Sequence, residues 1–254
     1  MLLEINNVNM YYGAFHALRG ISFSLAERES LAVIGPNGAG KTTLFKAMTG
    51  ESIPSSGSVT FLGEDVTRIP GYERTRKGMA RTFQVAKVFE DLEVVTNIVV
   101  AVESRRRGLG QRSGGFFRLA PPPDTLEEAR ALAAELGLSD VLRTRAKILS
   151  YGDKKRLELA MALALRPKIL MLDEPTAGMA PADRIATVSL IERLRRENSL
   201  AIIITEHDMN TVFKLAHRIL VMNFGEVVAL GTVDEVRSNP LVREIYLGKE
   251  AEIA

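Results

Sequence analysis

The residues best suited to chemistry form a glycine-rich stretch near the N-terminus. It fits the pattern G-x-x-x-x-G-K-[ST] and consists of Gly35, Pro36, Asn37, Gly38, Ala39, Gly40, Lys41 and Thr42. In such a loop the glycines let backbone N–H groups approach phosphate oxygens, the lysine neutralises phosphate charge, and the hydroxyl suits Mg²⁺. A turn ahead of a helix can match the pattern by chance. Because an apolar run at 31–34 precedes the loop and helix-compatible residues 42–48 follow it, we predict a nucleotide-phosphate loop at a helix N-terminus.

A second candidate site lies at the end of the apolar run 169–172, where Asp173 and Glu174 follow one another. One carboxylate could hold the shell of a Mg²⁺ ion while the next polarises an attacking water. Alone, such a pair is more often a helix cap or a solvated strand end. Together with the phosphate loop, the pair favours phosphoryl chemistry, with Asp173 in the metal role and Glu174 as the general base.

The surrounding sequence predicts the elements that would position these residues. Short β-rich runs and turns alternate through residues 2–34, and buried strands are predicted at 168–172 and 200–205, each after helical sequence. This order predicts an α/β domain with a mostly parallel sheet. From roughly residue 89 to residue 165, helical patterns take over.

Within this helical stretch, two local signals predict the limits of one helix. Residues 125–128 form a Thr-x-x-Glu capping box, which predicts a helix start, and Gly137 predicts the end of that helix. Residues 105–123 are rich in Gly, Arg and Pro, so they predict an irregular, exposed segment.

Composition limits the classes of partner. Lys and Arg total 33 against 31 Asp and Glu, and the resulting charge of +2 gives no field that would attract nucleic acid. The absence of cysteine excludes disulfides, thiolate metal sites and cysteine nucleophiles. The first residues do not resemble a secretory signal, and no run approaches about 18 apolar residues. We therefore expect a cytosolic chain that another chain would have to hold at a membrane, with the basic residues 105–107 in a solvated loop.

One further motif gives the chain a family resemblance. Leu149, Ser150, Tyr151, Gly152 and Asp153 stand just before a helical stretch and upstream of the two carboxylates, as the signature motif of ABC ATPases does. The chain resembles that family over nearly its whole length. The resemblance implies an α/β P-loop NTPase of the ABC ATPase fold, with a mostly parallel sheet core, an antiparallel β subdomain and an inserted α-helical subdomain. It implies one domain, 1–254, with the nucleotide-binding core in 1–88 and 166–235, the helical insertion with the signature in 89–165, and a C-terminal tail in 236–254.

The resemblance also implies roles for individual residues. Gln84 resembles the glutamine that senses Mg²⁺ and water, and His207 resembles the switch histidine at the γ-phosphate, so Glu174, His207 and Gln84 form the expected catalytic set. Tyr12 resembles the aromatic residue that stacks on adenine, with Tyr11 as the alternative register. The expected ATP-binding residues are Tyr12, Gly35, Asn37, Gly38, Ala39, Gly40, Lys41, Thr42, Thr43, Ser150 and Gly152. The expected Mg²⁺ ligands are Thr42, Gln84 and Asp173. No guanine-reading Asn-Lys-x-Asp segment occurs, which agrees with ATP.

The amino-acid sequences of several motifs resemble one branch of the family. Residues 81–84, Tyr151, residues 206–209 and the tail 239–248 are similar to the G-type ATPases of branched-chain amino-acid importers. This resemblance implies import of branched-chain or other hydrophobic amino acids. The alternatives are an ABC ATPase for urea or amide import or for lipopolysaccharide export, and a soluble ABC ATPase associated with nucleic acid.

The family resemblance further implies how the chain would work with partners. Two ATPase subunits would close on two Mg-ATP, with Ser150 and Gly152 reaching the γ-phosphate held by the other subunit. The helical insertions would bind transmembrane permease subunits, and an external substrate-binding protein would take part indirectly. The chain would then be peripheral on the cytoplasmic face of the inner membrane, without nucleic acid, and paired with a paralogue in preference to a second copy. Asp153 replaces the usual Gln and Ala180 replaces a polar residue, which predicts a weakened composite site unless the Asp153 carboxylate points away.

Overall fold

A computed structural model describes residues 1–110 and 121–243, whose strands form two sheets. The antiparallel sheet has the strand order β2-β1-β4-β5 and comprises β1 (Leu3–Tyr12), β2 (Phe15–Leu25), β4 (Ser56–Phe61) and β5 (Glu64–Asp65). The six-stranded sheet has the order β10-β9-β3-β8-β7-β6 and comprises β3 (Ser30–Ile34), β6 (Met79–Arg81), β7 (Ile169–Asp173), β8 (Ala201–Thr205), β9 (Arg218–Asn223) and β10 (Glu226–Thr232). Its pairings are parallel apart from the antiparallel edge pair β9–β10.

The helices pack around the six-stranded sheet and within the segment between β6 and β7. They are α1 (Lys41–Thr49), α2 (Gly71–Lys77), α3 (Val94–Gly108), α4 (Pro123–Glu135), α5 (Tyr151–Ala164), α6 (Pro181–Glu197), α7 (Met209–Leu215), α8 (Val233–Ser238) and the single turn α9 (Pro240–Val242). None of the helices in the described part of the chain is long and apolar enough to cross a membrane.

The parallel strands are continuous apolar runs because both faces of their sheet are covered. In β3, Leu31 and Val33 lie on one face and Ala32 and Ile34 on the other, and all four side chains are fully buried. The first face packs against α1 and the antiparallel sheet, and the second packs against α3 to α7. The prediction of an α/β fold with a mostly parallel sheet and an antiparallel β subdomain is confirmed.

The register of the central strands brings three chain segments to one edge of the sheet. Thr205 at the end of β8 is opposite Val33 in β3 and opposite Asp173 at the end of β7. The segments that follow β3, β7 and β8 therefore meet at the carboxyl ends of adjacent strands, which is where α/β proteins bind ligands.

The predicted start of α4 is wrong, whereas its predicted end is confirmed. The helix begins at Pro123, whose fixed φ suits a first helical position, so Thr125 lies inside the first turn and does not cap it. The backbone N–H of Thr125 donates to Pro122 O, and its hydroxyl accepts from Arg106. At the other end Gly137 has a φ of 70°. Its N–H donates to Ala134 O at 3.0 Å and the N–H of Leu138 donates to Ala133 O at 2.8 Å, the two bonds typical of a helix-ending glycine.

The prediction that the arginines 105–107 lie in an irregular loop is wrong, because α3 continues to Gly108. Arg105 pairs with Glu128 at 2.8 Å and Arg106 with Asp124 at 2.6 Å, so these charges hold α3 against α4. Cations in the last turn of a helix also interact favourably with its dipole. Residues 111–120 of the predicted irregular segment and residues 244–254 of the predicted tail lie outside the described residues.

Candidate active site

The glycine-rich loop connects β3 to α1, and two of its glycines are required by close contacts. Gly35 has a φ of 154°, and a Cβ there would lie 2.2 Å from the carbonyl oxygen of Met222. Gly40 occupies the N-cap of α1 with a φ of 100°, and a Cβ there would lie 3.0 Å from Ala17 O. The loop therefore folds tightly between β9 and β2, with its backbone exposed on the remaining side.

The end of the loop offers positive charge and backbone donors. Leu44 makes the first intrahelical hydrogen bond of α1, to Gly40 O at 2.9 Å, so the N–H groups of Lys41, Thr42 and Thr43 are left by helix geometry to bind phosphate oxygens. The ammonium of Lys41 donates to the carbonyls of Gly35 at 2.7 Å and Pro36 at 3.1 Å.

Burial lowers the pKa of Lys41, and the nearby carboxylates of Glu174 and Asp173 oppose that shift. The strand register, which places both Val33 and Asp173 opposite Thr205, brings the loop lysine and the acidic pair, 132 residues further along the chain, to one edge of the sheet. The predicted phosphate loop and the predicted carboxylates are therefore brought together by the fold.

The two carboxylates after β7 are held by Thr205 and Arg81. Asp173 accepts from the hydroxyl of Thr205 through Oδ1 at 2.8 Å and from Arg81 Nη2 through Oδ2 at 2.7 Å. Glu174 has a left-handed backbone, with a φ of 46°, and its N–H donates to both the carbonyl and the hydroxyl oxygen of Thr205 at 3.1 Å. The sequence gives no local signal for the role of Thr205, and Arg81 stands out in it only as part of the branch-specific motif 81–84.

The three residues of the predicted catalytic set form one hydrogen-bonded group. Gln84 Nε2 donates to Glu174 Oε2 at 2.9 Å, and His207 Nε2 lies 2.9 Å from Glu174 Oε1. An ionised carboxylate only accepts, so a hydrogen bond between them requires the proton of His207 to be on Nε2. The carboxylate of Glu174 is thus oriented from two sides by residues that come from two different loops.

The signature residues cap α5, and their serine is engaged by the unusual aspartate. Ser150 Oγ accepts from the backbone N–H of Asp153 at 3.1 Å and donates to Asp153 Oδ2 at 2.8 Å. Arg156 lies 3.6 Å from the same carboxylate. Asp153 therefore does not point away from the serine. A Cβ on Gly152 would meet no atom within 4 Å, so the helix start is open on that side.

Tyr12 lies at the end of β1, close to the phosphate loop. It pairs with Phe15 across the β1–β2 turn, two residues before Ala17, whose carbonyl contacts Gly40. Tyr12 is 48% exposed. The neighbouring Tyr11 is also exposed, but its ring stacks on His16 with the centroids 4.0 Å apart.

Two residues of α5 hold the loop that carries Gln84, and the sequence analysis did not identify them. Glu158 Oε1 accepts from the backbone N–H groups of Phe83 at 3.2 Å and Lys87 at 2.9 Å, and Lys155 Nζ donates to Phe83 O at 2.5 Å. Burial raises the pKa of Glu158, opposed by the Lys87 N–H and the Lys155 charge, and burial lowers the pKa of Lys155. The sequence signal for this contact was the spacing of Lys155 and Glu158, two opposite charges three positions apart on an otherwise apolar helix face.

A buried glutamate connects the segments after β7 and β8. Glu206, 3% exposed, accepts from the N–H of Thr176 at 3.0 Å and from its hydroxyl at 2.6 Å, and the N–H of His207 donates to its other oxygen at 3.2 Å. Because a buried carboxylate needs such partners, this group fixes the backbone of His207 relative to Glu174. The sequence motif 206–209 contained Glu206 without revealing this contact.

The strand–loop–helix unit, together with carboxylates at the end of a nearby parallel strand, defines a P-loop nucleoside triphosphate hydrolase. A profile of the ABC transporter family matches residues 18–177. A second profile, of the branched-chain amino acid ATP-binding cassette transporter, matches residues 226–252. The chain belongs to the ABC transporter family, and as an ABC ATPase it couples ATP hydrolysis to transport.

The individual similarities extend over nearly the whole chain. It is 38% identical over 251 residues to the high-affinity branched-chain amino acid transport ATP-binding protein LivG of Salmonella typhimurium, covering 98% of both chains. It is 36% identical over 253 residues to the corresponding protein BraF of Pseudomonas aeruginosa, again covering 98% of both. Among solved structures, the ADP conformation of MJ1267, an ATP-binding cassette of an ABC transporter, superposes with a TM-score of 0.83 at 31% identity, covering 97% of this chain and 98% of that one.

Proposed function

We propose that this chain is the ATPase subunit of an importer for branched-chain amino acids. The similarity to LivG and BraF over 98% of the chain supports this cargo, as does the match of residues 226–252 to the branched-chain amino acid profile. An ATPase subunit does not contact the cargo, so the proposal depends on relatedness, not on a cargo pocket.

The observation that carries the hydrolytic mechanism is the double orientation of Glu174 by Gln84 and His207. We assign Glu174 as the base that takes a proton from the attacking water, and His207 as the donor that orients the base and contacts the γ-phosphate. Lys41 and the backbone N–H groups at the start of α1 bind the phosphates. The electrostatic contribution of such fixed donors is greatest where water is excluded.

The residues at the site fit a magnesium ion. The described residues contain no group of three or more His, Cys, Asp or Glu side chains able to hold a metal by themselves. Mg²⁺ bound with ATP takes oxygen ligands from one or two carboxylates and from the phosphates, and Asp173, Thr42 and Gln84 offer a carboxylate, a hydroxyl and an amide oxygen. When bound, the ion would neutralise charge on the β- and γ-phosphates.

The remaining assignments concern ATP and a second ATPase subunit. The ring of Tyr12 is assigned to adenine, because Tyr11 is already stacked on His16. Ser150 and Gly152 are assigned to the γ-phosphate bound by the partner ATPase, with a paralogue preferred over a second copy. The open side of α5 at Gly152 supports this role, since helix N-termini bind anions.

The permease partner would bind beside the Gln84 loop. A cleft of about 370 Å³ lies there, lined by Thr49, Glu51, Gly71, Tyr72, Thr75, Met79, Ala80, Arg81, Phe83, Lys87 and Leu165. A membrane subunit in this cleft would contact the segment that positions Gln84, so docking and hydrolysis would be coupled. The chain would then lie on the cytoplasmic face of the inner membrane, with the external binding protein linked only through the permease.

Uptake measurements test the cargo. In a strain that lacks this chain, uptake of radiolabelled leucine, isoleucine and valine should fall, and the wild-type chain should restore it. The Glu174→Gln variant should bind ATP but hydrolyse it at a small fraction of the wild-type rate, and it should not restore uptake. Normal uptake of all three amino acids with loss of urea or amide uptake would assign the chain to another cargo.

A further inference from the structure

Arg81, at the end of β6, is fixed in a desolvated position next to the proposed metal ligand. Its side chain is 7% exposed. Nη2 donates to Asp173 Oδ2 at 2.7 Å and Nη1 donates to Glu51 Oε1 at 2.6 Å. The guanidinium also lies 5.5 Å from the ring centroid of Phe45 and 4.9 Å from that of Phe83, where the ring faces attract a cation.

Both oxygens of Asp173 are therefore used within the chain. Thr205 donates to Oδ1 and Arg81 to Oδ2, and only 9% of the Asp173 side chain is exposed. A buried carboxylate needs a compensating positive charge, and Arg81 provides it. A divalent ion that approaches Asp173 would meet a carboxylate that is already neutralised.

The second partner of Arg81 differs in its surroundings. Glu51 is 37% exposed and also accepts from the hydroxyl of Thr49 at 3.0 Å. A guanidinium carries five donors in a fixed fork, so Arg81 can keep its bond to Glu51 while its bond to Asp173 weakens. Arg81 therefore has two carboxylate acceptors: Asp173, which lies at the proposed metal site, and Glu51, which lies beside it.

We propose that Arg81 is a positioning residue that occupies Asp173 in competition with Mg²⁺, and that Glu51 sets how strongly it competes. Arg81 thereby determines how much the metal strengthens nucleotide binding. This inference rests on the proposed role of Asp173 in holding Mg²⁺.

Nucleotide affinity with and without the metal tests the competition. Calorimetry would give the dissociation constant of a non-hydrolysable ATP analogue in EDTA and in excess Mg²⁺. We define the magnesium ratio as the constant in EDTA divided by the constant in Mg²⁺, so a higher ratio means that the metal strengthens binding more. Arg81→Met keeps an apolar stem between the rings but removes the charge, so the magnesium ratio should rise about tenfold because Asp173 is left uncompensated. Arg81→Lys keeps a positive charge and should return the ratio towards the wild-type value.

A second variant moves the ratio in the opposite direction and tests the role of Glu51. Among the described residues, Glu51→Gln leaves Asp173 as the only carboxylate partner of Arg81, so the magnesium ratio of this variant should fall below that of the wild type. Because Glu51 is partly exposed, this variant tests the inference even if Arg81→Met does not fold. Arg105→Met is the matched control, since it removes an ion-paired arginine whose side chain is 11% exposed and which lies in α3, and it should leave the ratio unchanged.

The outcomes separate this inference from the proposed function. A wild-type protein whose nucleotide affinity does not respond to Mg²⁺ would overturn the metal role of Asp173 and this inference with it. A wild-type protein that responds to Mg²⁺, with an unchanged or lower ratio in Arg81→Met and an unchanged ratio in Glu51→Gln, would overturn the competition alone.

Discussion

At the scale of single residues, Thr205 contacts both members of the carboxylate pair. Its hydroxyl donates to Asp173 and accepts from the N–H of Glu174, and its carbonyl accepts from the same N–H. Glu174 has a left-handed backbone, which is unfavourable for a residue with a side chain and persists only where neighbours impose it. Thr205 is 1% exposed, so water does not replace these bonds.

Replacing Thr205 by Val tests these contacts at nearly constant volume. The loss of the hydroxyl removes the donor to Asp173 Oδ1 and leaves the N–H of Glu174 with the carbonyl of residue 205 alone, which should lower the free energy of unfolding by about 1–2 kcal/mol. The kcat for ATP hydrolysis should fall about tenfold, with a smaller change in ATP affinity, because the base is misoriented. Thr205→Ser keeps the hydroxyl and should retain both properties. Equal kcat values for the Val and Ser variants would show that the hydroxyl does not position the carboxylates.

Asp153 is a second residue whose effect, here on ATP-dependent self-association, can be measured separately. Its carboxylate accepts from Ser150, the residue proposed to reach the partner's γ-phosphate, so it adds negative charge and a competing acceptor at that contact. In a Glu174→Gln background, Asp153→Gln should allow ATP-dependent self-association at roughly tenfold lower protein concentration. Light scattering with and without Mg-ATP measures this shift. Asp234→Asn, which removes an exposed carboxylate in α8, should have no effect.

At the scale of elements, α5 connects two parts of the site. Its N-terminus carries Ser150, and further along the helix Lys155 and Glu158 bind the backbone on both sides of Gln84. The hydroxyl of Tyr151 also donates to Gln84 O at 3.2 Å. A shift of α5 would therefore move the Gln84 loop, because the buried side chains of Lys155 and Glu158 bond directly to its backbone.

Variants of Glu158 test whether α5 positions Gln84. Glu158→Leu removes the acceptor of two backbone N–H groups and should reduce kcat about tenfold, with less change in ATP affinity. Glu158→Gln keeps an acceptor oxygen and should preserve most of the activity. Glu127→Leu, which alters an exposed glutamate of α4, is the control and should match the wild type. Retained activity in a folded Glu158→Leu protein, as judged by thermal unfolding, would contradict this role.

At the scale of the whole molecule, one carboxylate joins the helices between β6 and β7. Glu128 in α4 accepts from Arg105 and Arg106 in α3 and from Arg166 after α5. Burial would raise the pKa of Glu128, but the hydrogen bonds and charges of Arg105 and Arg166 outweigh it and lower the pKa from 4.5 to about 2. The helices are therefore tied together by a group that is charged throughout the physiological range.

The pH dependence of unfolding tests whether the ion pairs of Glu128 stabilise the protein. A carboxylate whose pKa is lowered by folding contributes stability fully above its unfolded pKa, near 4.5, and loses that contribution as the pH falls towards about 2. Glu128→Gln should cost about 2 kcal/mol at neutral pH, and its stability should fall less steeply than that of the wild type below pH 4.5. Thermal unfolding across this range gives both quantities. Glu127→Gln, at an exposed position, should follow the wild-type curve; the same curve for Glu128→Gln would show that the cluster adds no stability.

The amino-acid sequence by itself determined the features that depend on neighbouring residues. The phosphate loop, the apolar strands before it and before Asp173, and the glycine that ends α4 are local signals, because backbone conformation and strand burial are encoded within a few positions. The predicted start of α4 failed because Pro123 competes with the capping residues and is a better first helical residue.

Only the tertiary structure decided which side chains meet. The bonds of Arg81 and Thr205 to Asp173, of Glu158 to the Gln84 loop, and of Arg105 to Glu128 join residues 92, 32, 75 and 23 positions apart. The residue types there were visible, but their partners were not. A charged or hydroxyl side chain can pair with any of many others, and the choice is made by the packing of the strands and helices that carry them.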